Sequence, residues 1–124
     1  MNAHDKAEAW VALYRRAWET NDETDIRAVF TDDAVYKGRP DDDEPEQGIN
    51  AIVAGWIENR DEPGDWTFEH EVLGVDGDLA FIQGTTDYRA ADRPLYFNLW
   101  VVRIADDGRA SDFTEWWMTP RASD

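Results

Sequence analysis

Glu115 is the residue whose type and setting most favour acid–base chemistry in this sequence. It lies between Phe113 and Trp117 in a stretch that alternates like a β-strand, so the three side chains share one face. A carboxyl group among aromatic rings loses hydration, which raises its pKa towards the neutral range where a general acid or base works best. The alternative is a structural glutamate tied to an arginine or an indole N–H.

Two further residues could take part in proton transfer beside Glu115. Tyr14 falls on the apolar stripe of the first predicted helix and could donate its hydroxyl to a ligand carbonyl, or simply pack there with the hydroxyl satisfied nearby. His70 shares a predicted strand face with Phe68 and could act as a base or orient Glu115. A single histidine on an apolar face is, however, more often part of the core or its rim.

The sequence offers few ligands for a metal and no cofactor motif. It contains no cysteine and two histidines, His4 and His70, of which His4 lies close to the start of the chain. We therefore expect neither a metal nor an organic cofactor.

Charge and hydropathy limit the partners. Asp and Glu number 28 against 12 Lys and Arg, a formal net charge of −16, which repels nucleic acid and anionic membranes. No apolar run approaches the roughly 20 residues of a membrane span, and the first residues do not resemble a signal peptide. We expect a cytoplasmic protein that binds neither nucleic acid nor membranes.

Three helices and five strands are predicted to position these side chains. Apolar spacings of three and four predict a helix over about residues 6–20, and Asp22 or Thr24 can cap a short second helix. A third helix follows Gly48 and runs to about residue 60, after an acidic loop over 38–47 that should be mobile and that resembles a solvated insertion more than a lid. Alternation and turn signals predict strands at 34–37, 66–75, 79–88, 95–104 and 109–118, with a turn over 89–94.

This order predicts a single α+β domain over residues 1–124. Helices packed on one face of a curved sheet would form a cone with a cavity at its open end. Helices on a flatter sheet would form a sandwich, and the pattern alone leaves both open.

Four stretches of the sequence resemble an NTF2-like domain of the SnoaL-like kind, and the resemblance covers nearly the whole chain. NDETDIRAVFTDDAVY resembles the family's second helix and first strand, GINAIVAGW its third helix, and VDGDLAF with NLWVVRIADDGRASDFTEWW its paired long strands. The resemblance implies an NTF2-like cone, with three N-terminal helices packed on a curved, mostly antiparallel sheet that encloses a pocket. This fold hosts isomerases, polyketide cyclases, dehydratases, epoxide hydrolases and non-catalytic modules, so it does not by itself give the function.

The resemblance also assigns individual positions. Tyr14 falls where ketosteroid isomerase-like members hold their helix tyrosine, whereas Gly38 and Trp100 stand where those members hold two acids. Neither glycine nor tryptophan can be a base, so steroid isomerisation by that mechanism is not expected.

The same register predicts a pocket for a small hydrophobic or aromatic ligand. The residues placed at it are aromatic or carry amides, and the middle-strand face with Phe81, Gln83, Thr85 and Asp87 is taken as the inner one. The predicted ligand-binding residues are Trp18, Trp56, Gln83, Asn98, Trp100, Phe113 and Trp117.

Trp116 is predicted on the outer face of the sheet beside Phe97 and Val101, and an exposed aromatic patch of this kind favours a homodimer. Three functions stay open. The chain could be a cofactor-independent isomerase, cyclase, dehydratase or hydrolase. It could also be a non-catalytic ligand-binding protein, or a dimerisation module with a filled core.

Overall fold

The protein is described by a computed structural model that covers residues 1–89 and 95–121. The helices of this α+β fold are α1 (Ala3–Thr20), α2 (Glu23–Arg27) and α3 (Ile49–Glu58). The strands are β1 (Phe30–Lys37), β2 (Glu46–Gln47), β3 (Trp66–Asp76), β4 (Leu79–Tyr88), β5 (Tyr96–Ile104) and β6 (Ala110–Met118). The turn predicted over 89–94 falls, except for its first residue, outside the described residues.

Side-chain caps set where the first two helices begin. Asn2 accepts a hydrogen bond from the backbone N–H of Asp5 at 2.8 Å, so α1 starts three residues before the predicted position. It ends at Asn21, whose φ of 53° is left-handed and whose N–H bonds to the carbonyl of Ala17. Asp22, one of the two predicted caps, starts α2 by accepting from the N–H of Thr24.

The strands form one curved, mixed sheet in the order β2-β1-β6-β5-β4-β3, and the predicted cone architecture is confirmed. β1 runs parallel to β6, and the other neighbours are antiparallel. Pairing of Phe30 with Ala110 starts β1 before the predicted residue 34. The predicted acidic loop over 38–47 is shorter than expected, because Glu46 pairs with Tyr36 and thereby adds β2 to the sheet edge.

The inner face of the sheet follows the predicted alternation on β5 and β6 but not on β4. Asn98 and Trp100 of β5 are buried, as expected, whereas Gln83 of β4 is exposed. The face of β4 that was expected to point inward, which also holds Phe81, Thr85 and Asp87, is therefore the outer face of the sheet. The inward residues are Ala80, Ile82, Gly84 and Thr86, all of them buried.

Gly84 explains why the β4 face was wrongly assigned. A Cβ built on it would lie 2.4 Å from Cε1 of Phe68 on β3, so the position needs a residue without a side chain. Gly84 therefore adds no apolar signal to the inner face on which Ala80 and Ile82 lie. Phe68 uses the space to stack on Trp100, with ring centroids 4.8 Å apart.

Trp10 of α1 lies at the centre of the core. It is fully buried, its Nε1–H donates to the carbonyl of Val29 at 3.0 Å, and its ring packs against Tyr14, Trp100 and Phe113. This packing fixes α1 across the sheet and leaves the wider end of the cone open. In the described part of the chain, no helix is long and apolar enough to cross a membrane.

Candidate functional site

A cavity of about 420 Å³ lies between helices α1 and α3 and the inner face of the sheet. Its volume falls in the range of small-molecule sites. Seven of the predicted site residues line it: Tyr14, Trp18, Trp56, Asn98, Trp100, Glu115 and Trp117.

The other three predicted site residues lie elsewhere. Phe113 is fully buried beneath the cavity, where its ring stacks on Tyr36. His70 is not among the lining residues, and its Nε2 lies 2.7 Å from Oε1 of Glu8 on α1. Gln83 is exposed on the outer face, which corrects its predicted place in the pocket, because Gly84 takes up the inward position on β4.

Glu115 is held in the cavity by a short chain of polar groups. Nδ2 of Asn98 donates to its carboxylate at 3.3 Å, and Oδ1 of the same amide accepts from the hydroxyl of Thr86 at 2.8 Å. Thr86 and Asn98 are buried on β4 and β5, and the hydroxyl fixes which way the amide points. Rigid strands therefore position the carboxyl group.

Burial raises the pKa of Glu115 from 4.5 to about 7, and the nearby N–H groups of Trp100 and Asn98 oppose the shift. In the described residues no arginine, lysine or histidine is among the groups that set this pKa. The structural alternative of a glutamate tied to an arginine therefore lacks its partner there, whereas that of a glutamate tied to an indole N–H has a candidate in Trp100. The carboxyl group is poised to take up or release a proton near neutral pH.

Trp100 is the residue directly opposite Glu115 in the β5–β6 register. Its indole is almost fully buried, and its N–H lies near the carboxylate without the alignment of a hydrogen bond, so Nε1 lacks an acceptor among the described residues. A buried donor without an acceptor is costly, and a ligand oxygen in the cavity would satisfy it.

Two tyrosine hydroxyls meet close to Glu115. Burial raises the pKa of Tyr14 well above 10.0, and the Tyr36 hydroxyl and the charge of Glu115 add to the shift. Burial also raises the pKa of Tyr36, followed by the charge of Glu115. Both hydroxyls therefore stay protonated at neutral pH, and because one proton is used in the hydrogen bond between them, the other is left to donate to a ligand oxygen. Tyr36 was not predicted, although β-strand alternation from Ala34 places it on the inner face.

Hydrogen bonds hold Trp18 and Trp56, two of the tryptophans that line the cavity, in place. Trp18 Nε1–H donates to a carboxylate oxygen of Asp61 at 3.0 Å, and Tyr88 donates to the same oxygen at 3.0 Å. Trp56 donates to Asn21, whose own amide donates to the carbonyl of Asp61. Because Asn21 and Asp61 lie in turns, sequence patterns mark them as helix ends rather than as site residues.

Glu46 brings a second carboxyl group to the cavity. Burial raises its pKa, and the charges of Asp42 and Glu58 add to this. A two-residue strand shows no periodicity, so no sequence pattern indicates that this side chain leaves the acidic loop and points inward. Within the described residues no group of three or more Asp, Glu, His or Cys is placed to hold a metal ion.

The cone and its cavity define a class of α+β domains, and sequence comparison identifies the family. The chain belongs to the SnoaL-like domain family, whose sequence model matches residues 10–118. No curated protein matches the sequence.

Solved structures share the fold at low sequence identity. An NTF-2 like protein of unknown function from Burkholderia xenovorans has a TM-score of 0.74 and 16% identity over 97% of this chain and 88% of its own. An LEH-like epoxide hydrolase of M. tuberculosis has a TM-score of 0.65 and 18% identity over 94% and 86%. A steroid delta-isomerase from Pseudomonas aeruginosa has a TM-score of 0.64 and 18% identity over 91% and 80%. At these identities the likeness concerns the fold.

Proposed function

We propose that this protein is a cofactor-independent acid–base enzyme that acts on a small, largely hydrophobic carbonyl or hydroxyl compound. The observation that carries the proposal is the Glu115 carboxyl group, which faces the cavity with a pKa of about 7 and has no cationic partner among the described residues. A group that is half ionised near neutral pH can serve as base and then as acid within one reaction cycle.

The neighbouring groups suggest roles for a proton transfer. Ionised Glu115 would take a proton from a substrate carbon, a hydroxyl or a bound water. The protonated hydroxyl of Tyr14 would donate a hydrogen bond to the substrate oxygen on which negative charge develops. Asn98 would act as a positioning residue that holds the carboxylate. The expected reaction classes are isomerase, cyclase, dehydratase and hydrolase, and proteins described as an epoxide hydrolase and a steroid delta-isomerase share this fold.

A ligand screen by thermal shift, followed by Glu115→Gln, tests the proposal. Hits that the wild type converts should bind to the variant with a Kd within about threefold of wild type, while turnover falls by at least about 100-fold. Glu19→Gln, an exposed glutamate on α1, is the matched control and should change neither.

Unchanged turnover in Glu115→Gln refutes the assignment of the base. Wild-type protein that binds its hits tightly but converts none of them supports the alternative, a non-catalytic ligand-binding protein. The site residues would then serve recognition alone.

We also propose a homodimer through the outer sheet face. Phe97, Trp116 and Met118 are exposed there by 42%, 50% and 64%, and β5–β6 pairing sets Phe97 opposite Met118. An exposed apolar patch favours pairing with a second copy, because a two-fold axis lets the same patch on both chains cover itself, against the repulsion between two chains of net charge −16.

Light scattering after size exclusion tests the dimer. The wild type should have twice the 14.3 kDa chain mass. Trp116→Glu should convert it to monomer, while Leu73→Glu, which changes an exposed leucine on the edge strand β3, should leave it unchanged. A monomeric wild type at micromolar concentration overturns this proposal.

A further inference from the structure

Glu46 lines the cavity with a carboxyl group that has no counter-charge in the part of the chain that the structure describes. No described residue gives it a hydrogen bond or an ion pair, and its charged neighbours, Asp42 and Glu58, are acids. Desolvating a carboxylate beside two like charges is unfavourable unless a cation offsets it. This part of the cavity therefore has an excess of negative charge that the described residues do not balance.

The backbone makes room for this carboxyl group. A Cβ built on Gly55 of α3 would lie 1.9 Å from Oε1 of Glu46, so the group occupies the space that any other residue at position 55 would fill. Glycine inside a helix is unfavourable relative to alanine. Here it keeps a charged side chain at the cavity wall.

Aromatic rings stand beside the same carboxyl group. Tyr36 is its register partner across β1 and β2, and Trp56, the residue after Gly55, also lines the cavity. Ring faces next to an anionic group are the setting in which proteins bind organic cations. The charges of the lining agree, since neither Glu46 nor Glu115 has a cationic partner among the described residues, where Arg60 is the basic side chain that lines the cavity. Arg60 is exposed and donates to the carbonyl of Ile57.

An independent observation marks the deep end of the cavity. The indole N–H of Trp100 is buried and lacks an acceptor among the described residues. A ligand oxygen would satisfy it. The cavity thus has a donor for an oxygen near Glu115 and an unbalanced anion at Glu46.

We propose that the ligand of this cavity carries a positive charge, as a protonated amine or a quaternary ammonium, which binds at Glu46 between the rings of Tyr36 and Trp56. Its oxygen-bearing end lies at Trp100 and Glu115. This inference rests on the proposed function for the reacting end only, because the cation subsite does not require turnover.

A matched pair of probes tests the subsite. Phenacyltrimethylammonium carries a carbonyl oxygen and a permanent cation, and its uncharged isostere has carbon in place of nitrogen. Isothermal titration calorimetry on the whole protein should give a Kd for the cation at least about tenfold lower than for the isostere.

Three variants locate the preference. Glu46→Gln should reduce it to within about threefold, and Gly55→Ala should do the same because the new methyl group displaces the carboxylate. Alanine is the better helix former, so Gly55→Ala should fold at least as well as wild type, which circular dichroism checks. Glu44→Gln, an exposed glutamate two residues away, removes the same charge and should leave the preference intact.

Glu115→Gln separates this inference from the proposed function. It should abolish turnover but keep the preference for the cation. The loss of turnover tests the proposed function and the retained preference tests the cation subsite, so one can fail without the other. Equal affinity of wild type for the two probes overturns the inference. If Glu44→Gln and Glu46→Gln lose the preference for the cation equally, net charge is its cause and the inference is overturned. No binding of the cation at millimolar concentration overturns it as well.

Discussion

Replacing Glu115 by glutamine removes a carboxyl group whose ionisation the fold opposes, and the variant should therefore be more stable than wild type above neutral pH. Gln has the same shape and can still accept the hydrogen bond from Asn98. Burial is the main cause of the raised pKa, and burial opposes only the charged form.

The sign and size follow from the two pKa values. Between pH 4.5 and about 7 the unfolded chain has lost this proton while the folded protein keeps it, so the free energy of unfolding falls as the pH rises. Above about 7 the carboxyl is ionised in both states and the whole penalty is present. A pKa raised from 4.5 to about 7 corresponds to roughly 3 kcal/mol.

Urea unfolding at about pH 5 and about pH 8, followed by tryptophan fluorescence, measures the effect. Relative to wild type, Glu115→Gln should gain roughly 3 kcal/mol at the higher pH and roughly 0.8 kcal/mol at the lower. Comparing variant with wild type at each pH cancels the titration of the other acids. Glu19→Gln, which removes an exposed charge, should show no comparable change between the two pH values.

A stability difference that is the same at both pH values would show that Glu115 is not the proton-binding group described here. A wild type that is more stable than Glu115→Gln at the higher pH would show that the carboxylate has a cationic partner. In either case the acid–base proposal would lose the observation on which it stands.

Three smaller perturbations test the supporting structure. Asn98→Leu removes a donor that lowers the pKa of Glu115, so carboxyl NMR titration should find that pKa above its wild-type value. Gly84→Ala places a methyl group 2.4 Å from Phe68 and should cost about 1–3 kcal/mol in urea unfolding. Asp22→Ala removes the cap of α2 and should cost about 1 kcal/mol in the same assay.

The sequence contains enough information for most of the fold because its faces are marked by large side chains. On β5 and β6, the large side chains of Trp100 and Phe113 indicate the inner face, and both are buried. On β4 the apolar signal is divided, since Ile82 and Gly84 lie on the inner face while Phe81 on the other face suggests the opposite phase. Alternation fails where a neighbouring strand needs space rather than a side chain.

The candidate site was predictable where a residue lies on a long element, and not where pairing of distant segments places it. Glu115 and Tyr14 follow from the periods of a strand and a helix. Glu46 reaches the cavity through two register pairs with β1 and through the missing side chain of Gly55. Asp61 does so through bonds to a helix tryptophan and a strand tyrosine. These relations exist only in the folded chain.

The register of β5 and β6 gives the position of Glu115 a further meaning. Trp100 stands where the ketosteroid isomerase-like proteins that this sequence resembles hold an acid, and Glu115 is its direct partner on the adjacent strand. Directly opposed residues have Cβ atoms about 5 Å apart. The carboxyl group of Glu115 therefore lies at the same depth in the cavity as the acid of those proteins, but on β6, one strand nearer to β1. Tyr36 lies on β1, and its hydroxyl is close enough to Glu115 and Glu46 for their charges to raise its pKa. The indole of Trp100 stacks on Phe68 and fills the position at which those proteins hold the acid. A substrate that reacts at Glu115 must therefore lie towards the Tyr36 side of the cavity.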